Sequence, residues 1–169
     1  MENEAATVVG VGDNMRIHNS IHLACHGVQD TRHPLQSGFI MRDGRLELAE
    51  IIKIQNVHAD LAFLSACQTS TGDKELPEEM VHLAGGMLAA GYRGVVATMW
   101  AINDKHAVAM AQDFYSHLLS QGSESGKWEG PLSARAPDAL CYASERMREK
   151  LGHSEGALRA WVPYVYFGI

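Results

Sequence analysis

The sequence predicts an α/β domain built on a mainly parallel sheet, and three observations carry that prediction. Apolar runs of strand length occur at Ile21–Cys25, Leu61–Ala66 and Val95–Met99. Segments with helical apolar spacing lie between them. The runs also lack the alternation of a half-exposed strand, as expected of strands covered by helices on both faces. With 169 residues, 46% of them hydrophobic, residues 1–169 are expected to form one domain. A domain of that size buries roughly 70% of its unfolded surface.

Taken in order, Ala5 to Val11 reads as strand by its β-branched residues, while Thr7 could instead cap a helix running towards Ile17. Ile21 to Cys25, interrupted only by His22, is the first buried strand. Residues 37–48 form a hairpin, with Asp43-Gly44 as its two-residue turn signal. A short helix, Ala49 to Ile54, leads into the second buried strand at Leu61 to Ala66. Pro77 to Ala90 is helical, with Pro77 in the first turn and Gly91 as the stop. Its apolar face is Met80, Leu83, Ala84, Met87 and Leu88. Gly85-Gly86 costs roughly 1 kcal/mol per glycine relative to alanine, which close packing on the sheet would offset.

After the third strand a helix runs from Asp104 to Leu119, with Ala107, Val108, Ala111, Phe114, Tyr115 and Leu118 on one face. Residues 120–137, rich in Ser, Gly, Glu and Pro, form an exposed, protease-sensitive loop. A helix from Pro137 to Lys150 and a strand from Val165 to Phe167 complete the chain. The aromatic residues from Trp161 to Phe167 close the core rather than forming a partner surface.

Composition narrows the function. The chain has 14 basic and 20 acidic residues, net −6, without a basic stripe. That excludes nucleic acid as the main partner. No run of about 18 apolar residues predicts a membrane span. The acidic start Met-Glu-Asn-Glu lacks an apolar signal core, which argues against secretion. Three cysteines, an odd number, read as free thiols in a reducing, cytoplasmic setting.

Two apolar runs end on reactive side chains, His26 and Cys67. In open α/β sheets the functional crevice lies at the carboxyl ends of the strands. Neighbouring strands run about 4.8 Å apart, so the two groups could meet across one substrate carbonyl. A cysteine needs such a partner, because the thiolate is the nucleophile and the free thiol is mostly protonated at neutral pH. The Gly27 N–H, with no Cβ beside it, and the Cys67 N–H could stabilise an oxyanion. His22 and His26 do not suggest zinc: on a strand they lie about 13 Å apart. On a helix Leu23 would stand where a metalloprotease needs glutamate. No metal or cofactor is expected. Cys25 reads as a packed thiol, Cys141 as core, and Ser65 as a packing or hydrogen-bonding residue.

Three blocks carry a resemblance: His22-Leu23-Ala24-Cys25-His26-Gly27, Leu64-Ser65-Ala66-Cys67-Gln68-Thr69 and Val96-Ala97-Thr98-Met99-Trp100-Ala101-Ile102-Asn103-Asp104. In order and spacing they resemble the signature blocks of CHAT domains, caspase-like cysteine peptidases related to separase. The similarity runs from about Ala5 to Gly168. It implies a caspase-like fold, a mostly parallel sheet flanked by helices, with His26 as general base or acid and Cys67 as nucleophile. It favours the helical option for residues 7–17. CHAT domains usually carry a further strand and helix before this point, and often tetratricopeptide repeats upstream. The chain is therefore expected to lack that N-terminal portion, and such repeats or other regulatory regions are expected partners.

In separases the third block resembles one that supplies an acidic specificity pocket. The resemblance thus places Asp104 in substrate binding, with Asn103 and Trp100 lining the same pocket. Asp104 also suits a helix cap. A desolvated carboxylate facing arginine would select it by about 10²-fold. Two functions follow. One is an endopeptidase cutting proteins or peptides after Arg or Lys in intracellular signalling. The other is a catalytically silent interaction module of the same fold. If basic residues are preferred, the loop with Lys127 and Arg135 becomes a candidate for self-cleavage.

Overall fold

The computed structural model describes residues 6–30, 32–65, 67–68, 78–100, 102–120 and 130–168, with 67–68 and 78–81 as backbone only. The first element is a helix, α1 (Val8–Ile17), not a strand. The β-branched Val8-Val9 pair is overruled by capping. Thr7 Oγ1 accepts the Gly10 N–H at 3.1 Å, and Asp43 Oδ1 accepts the Val8 N–H at 2.8 Å. Two of the four free donors of the first turn are thereby satisfied.

Strands β1 (Ser20–Leu23) and β2 (His26–Val28) follow, then the hairpin β3 (Gly38–Met41) and β4 (Gly44–Glu47). The hairpin turn is Arg42–Asp43, one residue earlier than the Asp43-Gly44 signal. The reason is tertiary: the Arg42 N–H donates to the Ala6 carbonyl at 3.0 Å while Asp43 caps α1. Helix α2 (Leu48–Ile54) precedes β5 (Leu61–Leu64) and the two-residue β6 (Cys67–Gln68). Next come α3 (Glu78–Ala89), β7 (Gly94–Thr98), α4 (Asp104–Ser120), α5 (Ala136–Leu151), α6 (Glu155–Trp161) and β8 (Tyr164–Gly168). Helix α6 has no counterpart in the sequence reading. It starts on Ser154, whose hydroxyl accepts the Ala157 N–H at 3.2 Å.

The main sheet runs β1-β5-β7-β8, parallel except for β8, and a second sheet runs β4-β3-β2-β6. Helices cover both faces of the main sheet, consistent with a caspase-like fold. On one face Ala62, Leu64, Val95 and Ala97 pack with Val11 and Met15 of α1, Ile51 of α2 and Met87 of α3. On the other, Leu61, Phe63 and Val96 pack with Met110 and Phe114 of α4 and Ala139 and Ala143 of α5. Alternate residues of each strand thus feed opposite cores. Tyr164 is buried in the second core and Trp161 and Tyr166 pack against it, so the C-terminal aromatics do close the core.

Three expectations shift. A Cβ on Gly86 would come within 2.5 Å of Leu48, so the glycine admits α2 rather than the sheet; around Gly85 the space is open. Val108 is 58% exposed and lies off the buried face of α4, which Met110, Phe114 and Leu118 form. Cys141 is exposed rather than core. The helix stop is as read: Gly91 takes φ +100, a conformation open to glycine, and its N–H returns to the Leu88 carbonyl at 3.0 Å. Among the described residues no helix is long and apolar enough to cross a membrane.

Residues 121–129, with Lys127, lie outside the described residues, but the chain re-enters at a fixed point. Asp60, 5% exposed, accepts the Leu132 N–H at 2.6 Å and the Ser133 hydroxyl at 2.5 Å. Its own N–H donates to the Asn19 carbonyl, and its carbonyl accepts from Arg93 and Gly94. One residue therefore ties together the amino ends of β1, β5 and β7 and the 3₁₀ turn Leu132–Arg135. Arg135 sits in that turn rather than in an open loop. Asp60→Ala should lower unfolding free energy by about 2 to 4 kcal/mol, since it leaves buried donors unpaired. Urea unfolding followed by circular dichroism measures this.

Candidate active site

β1 and β5 pair in parallel, Ser20 opposite Leu61 and Leu23 opposite Leu64. Both leave the main sheet after these residues, and both rejoin a partner two residues later. There β2 pairs β6 in parallel, with His26 opposite Cys67 and Gly27 opposite Gln68. The separation along the chain is the same in every pair, so the strands bend together without slipping. The Ser65 N–H donates to the Leu23 carbonyl at 3.0 Å and carries the ladder into the bend. The backbones bearing His26 and Cys67 are therefore direct neighbours at the carboxyl ends of the sheet, about one strand spacing apart.

His26 is exposed, and Gly27 is buried between β3 and β6. The other thiol of this region differs in kind. Cys25 packs against the core on the α1 side, and burial pushes its pKa up to about 11. Such a thiol stays protonated at neutral pH and is a poor nucleophile.

Four residues before His26 and two before Cys67 lies a polar pair that the sequence reading treated separately. His22 Nε2 and Ser65 Oγ are 3.0 Å apart. The His22 ring packs against Phe63, with centroids 4.8 Å apart, and Tyr115, at 5.6 Å. One edge of the ring is open, but its apolar surroundings lower its pKa, so it stays neutral at pH 7. Ser65 is thus the hydrogen-bonding residue expected. The signal for the pair was the parallel pairing itself, which sets His22 beside the strand carrying Ser65.

The third block sits at the β7 exit and the start of α4. The helix cap is Asn103, not Asp104: Asn103 Oδ1 accepts the Lys105 N–H at 3.0 Å, and its carbonyl accepts from His106 and Ala107. Asp104 occupies the first turn, where a carboxylate is favoured by the helix dipole. Both side chains are exposed. The desolvated Asp104 carboxylate of the sequence reading is therefore absent in the chain alone, and its pull on a cation is reduced accordingly. Trp100 is 37% exposed and donates its indole N–H to the Arg159 carbonyl at 3.3 Å, so α6 orients it.

No curated protein matches the chain. The family model described as the CHAT domain matches residues 2–168. That match spans nearly the whole chain and takes in the strands carrying His26 and Cys67 and the β7 exit. This protein belongs to the CHAT domain family, which is related to the caspase-like cysteine peptidases.

Proposed function

We propose that the chain is a cysteine endopeptidase in which His26 and Cys67 form the dyad. The observation that supports this most is the register that opposes the two backbones at the carboxyl ends of parallel strands. In this reading His26 takes the Cys67 thiol proton and the sulfur attacks the scissile carbonyl carbon. The Gly27 and Cys67 N–H groups stabilise the oxyanion. His26 then returns the proton to the leaving amine, and water hydrolyses the thioester to restore the thiol. The substrate is a protein or peptide, and the setting is intracellular signalling in the cytoplasm, with tetratricopeptide or other regulatory regions as partners.

Asp104, flanked by Asn103 and Trp100, reads a basic side chain next to the cleaved bond. Because the carboxylate is exposed, the selectivity it confers is smaller than a buried pair would give. An exposed ion pair contributes up to about 1 kcal/mol, or about fivefold in rate.

Three measurements test the reading. Cys67→Ala and His26→Ala should each abolish cleavage of a peptide library while circular dichroism stays unchanged; full activity in Cys67→Ala would end it. Alkylation with iodoacetamide at pH 7, followed by peptide mapping, should modify Cys67 fastest, exposed Cys141 more slowly, and Cys25 least. Labelling of Cys25 should rise only as the pH approaches about 11. Asp104→Asn should reduce the preference for arginine over leucine about fivefold while leaving α4 capped by Asn103. An unchanged ratio would assign the specificity to other residues.

A further inference from the structure

The bend that carries the strands from the main sheet to the site is fastened by a side chain as well as by backbone. β1 and β5 leave the sheet after Leu23 and Leu64 and meet again as β2 and β6. Ser65 is the first residue past the sheet on the way to Cys67, and it is held to β1 twice. Its N–H donates to the Leu23 carbonyl at 3.0 Å, and its hydroxyl lies 3.0 Å from His22 Nε2. Ser65 itself is only 9% exposed, so its hydroxyl depends on this partner rather than on solvent.

An imidazole is not the side chain that packing alone would select here. His22 is the one polar member of the apolar run Ile21–Cys25. One face of its ring lies against Phe63, with centroids 4.8 Å apart, and Tyr115, at 5.6 Å. Phe63 is fully buried and in turn meets Phe114 at 4.9 Å. A phenylalanine at position 22 would join this aromatic group without desolvating a polar ring. A local preference broken in this way is expected at a functional position. What the imidazole has, and a phenylalanine lacks, is the bond to Ser65. Its apolar surroundings lower its pKa, so it brings no charge to the level below His26, and its Nε2 is occupied.

We propose that His22 is a positioning residue for the Cys67 nucleophile. Through the Ser65 hydroxyl its ring fixes the short segment that leads from β5 to Cys67, and with it the alignment of Cys67 on His26. Ser65 and Cys67 are two residues apart, so a shift at Ser65 passes to Cys67 with little chain to absorb it. A misplacement of about 1 Å at the reacting atoms costs about 10²-fold in rate. The opposed backbones of β2 and β6 supply the register, and the His22–Ser65 bond supplies the finer placement across the bend. The consequence for turnover rests on the peptidase reading; the hold on the backbone does not.

Three variants test it. His22→Phe fills the ring space without the bond, Ser65→Ala removes the hydroxyl, and His22→Gln restores a hydrogen-bonding group of similar reach. With a peptide that the native chain cleaves, His22→Phe and Ser65→Ala should each lower kcat about tenfold, while KM and the thermal midpoint change little. Because both remove the same bond, the double variant should lose no more than either single one. His22→Gln should recover most of the rate. Amide exchange by NMR reads the hold without turnover: the Ser65 amide should exchange about fivefold faster in His22→Phe and near the native rate in His22→Gln. Full kcat in His22→Phe, additive losses in the double variant, or a loss that His22→Gln does not rescue would overturn the proposal. If the native chain cleaves no peptide, the peptidase reading fails separately and the Ser65 amide decides the hold: faster exchange in His22→Phe sustains it, and an unchanged rate overturns it.

Discussion

The in-register pairing of the strand ending at Leu23 with the strand ending at Leu64 is the constraint on which the site depends. A parallel ladder fixes which residues face one another, and a slip of one residue would send alternate side chains to the wrong face. Here the register survives a bend. The two chains leave the main sheet at the same level and meet again with His26 opposite Cys67. A kink in only one strand would have displaced His26 from Cys67 by a residue or more.

What holds the register lies at the other end of the strands. The Asp60 backbone joins Asn19, before β1, to Arg93 and Gly94, at the start of β7, and its carboxylate clamps Leu132 and Ser133. Buried, with its oxygens taken by N–H and O–H donors, it is costly to remove. At the carboxyl end of the sheet no carboxylate among the described residues is buried. His26 stands exposed there, while the neutral His22–Ser65 pair occupies the level below. Four residues apart on one run of chain, the two histidines have different environments. Both residues are exposed, but one face of the His22 ring lies against Phe63 and Tyr115.

The two faces of the main sheet divide the labour. The α1–α3 side is a continuous core reaching Cys25, which is why that thiol is held protonated. The α4–α5 side is well packed around Phe63 and Phe114, yet it opens towards β1, where Val108 and Leu119 remain exposed. The sheet is thus finished at β8, which is antiparallel and aromatic.

Much of this was legible from the chain alone. Apolar runs without alternation announced strands covered on both faces, and the 3.6-residue spacing located α3 and α4, because burial of a face is written into local order. The pairing of His26 with Cys67 was legible only as a conditional, true if their strands were neighbours. Capping reached further than propensity did: Thr7 marked α1 correctly, whereas Val8-Val9 argued for a strand and lost to two hydrogen bonds, one of them from a residue 35 positions away. Tertiary structure alone decided the remaining points. It moved the α4 cap from Asp104 to Asn103, put Cys141 on the surface and gave Gly86 to α2 rather than the sheet. Each of these depends on what a distant segment places beside the residue. Sequence pattern records which groups must be buried or bonded; only the folded neighbours determine by what.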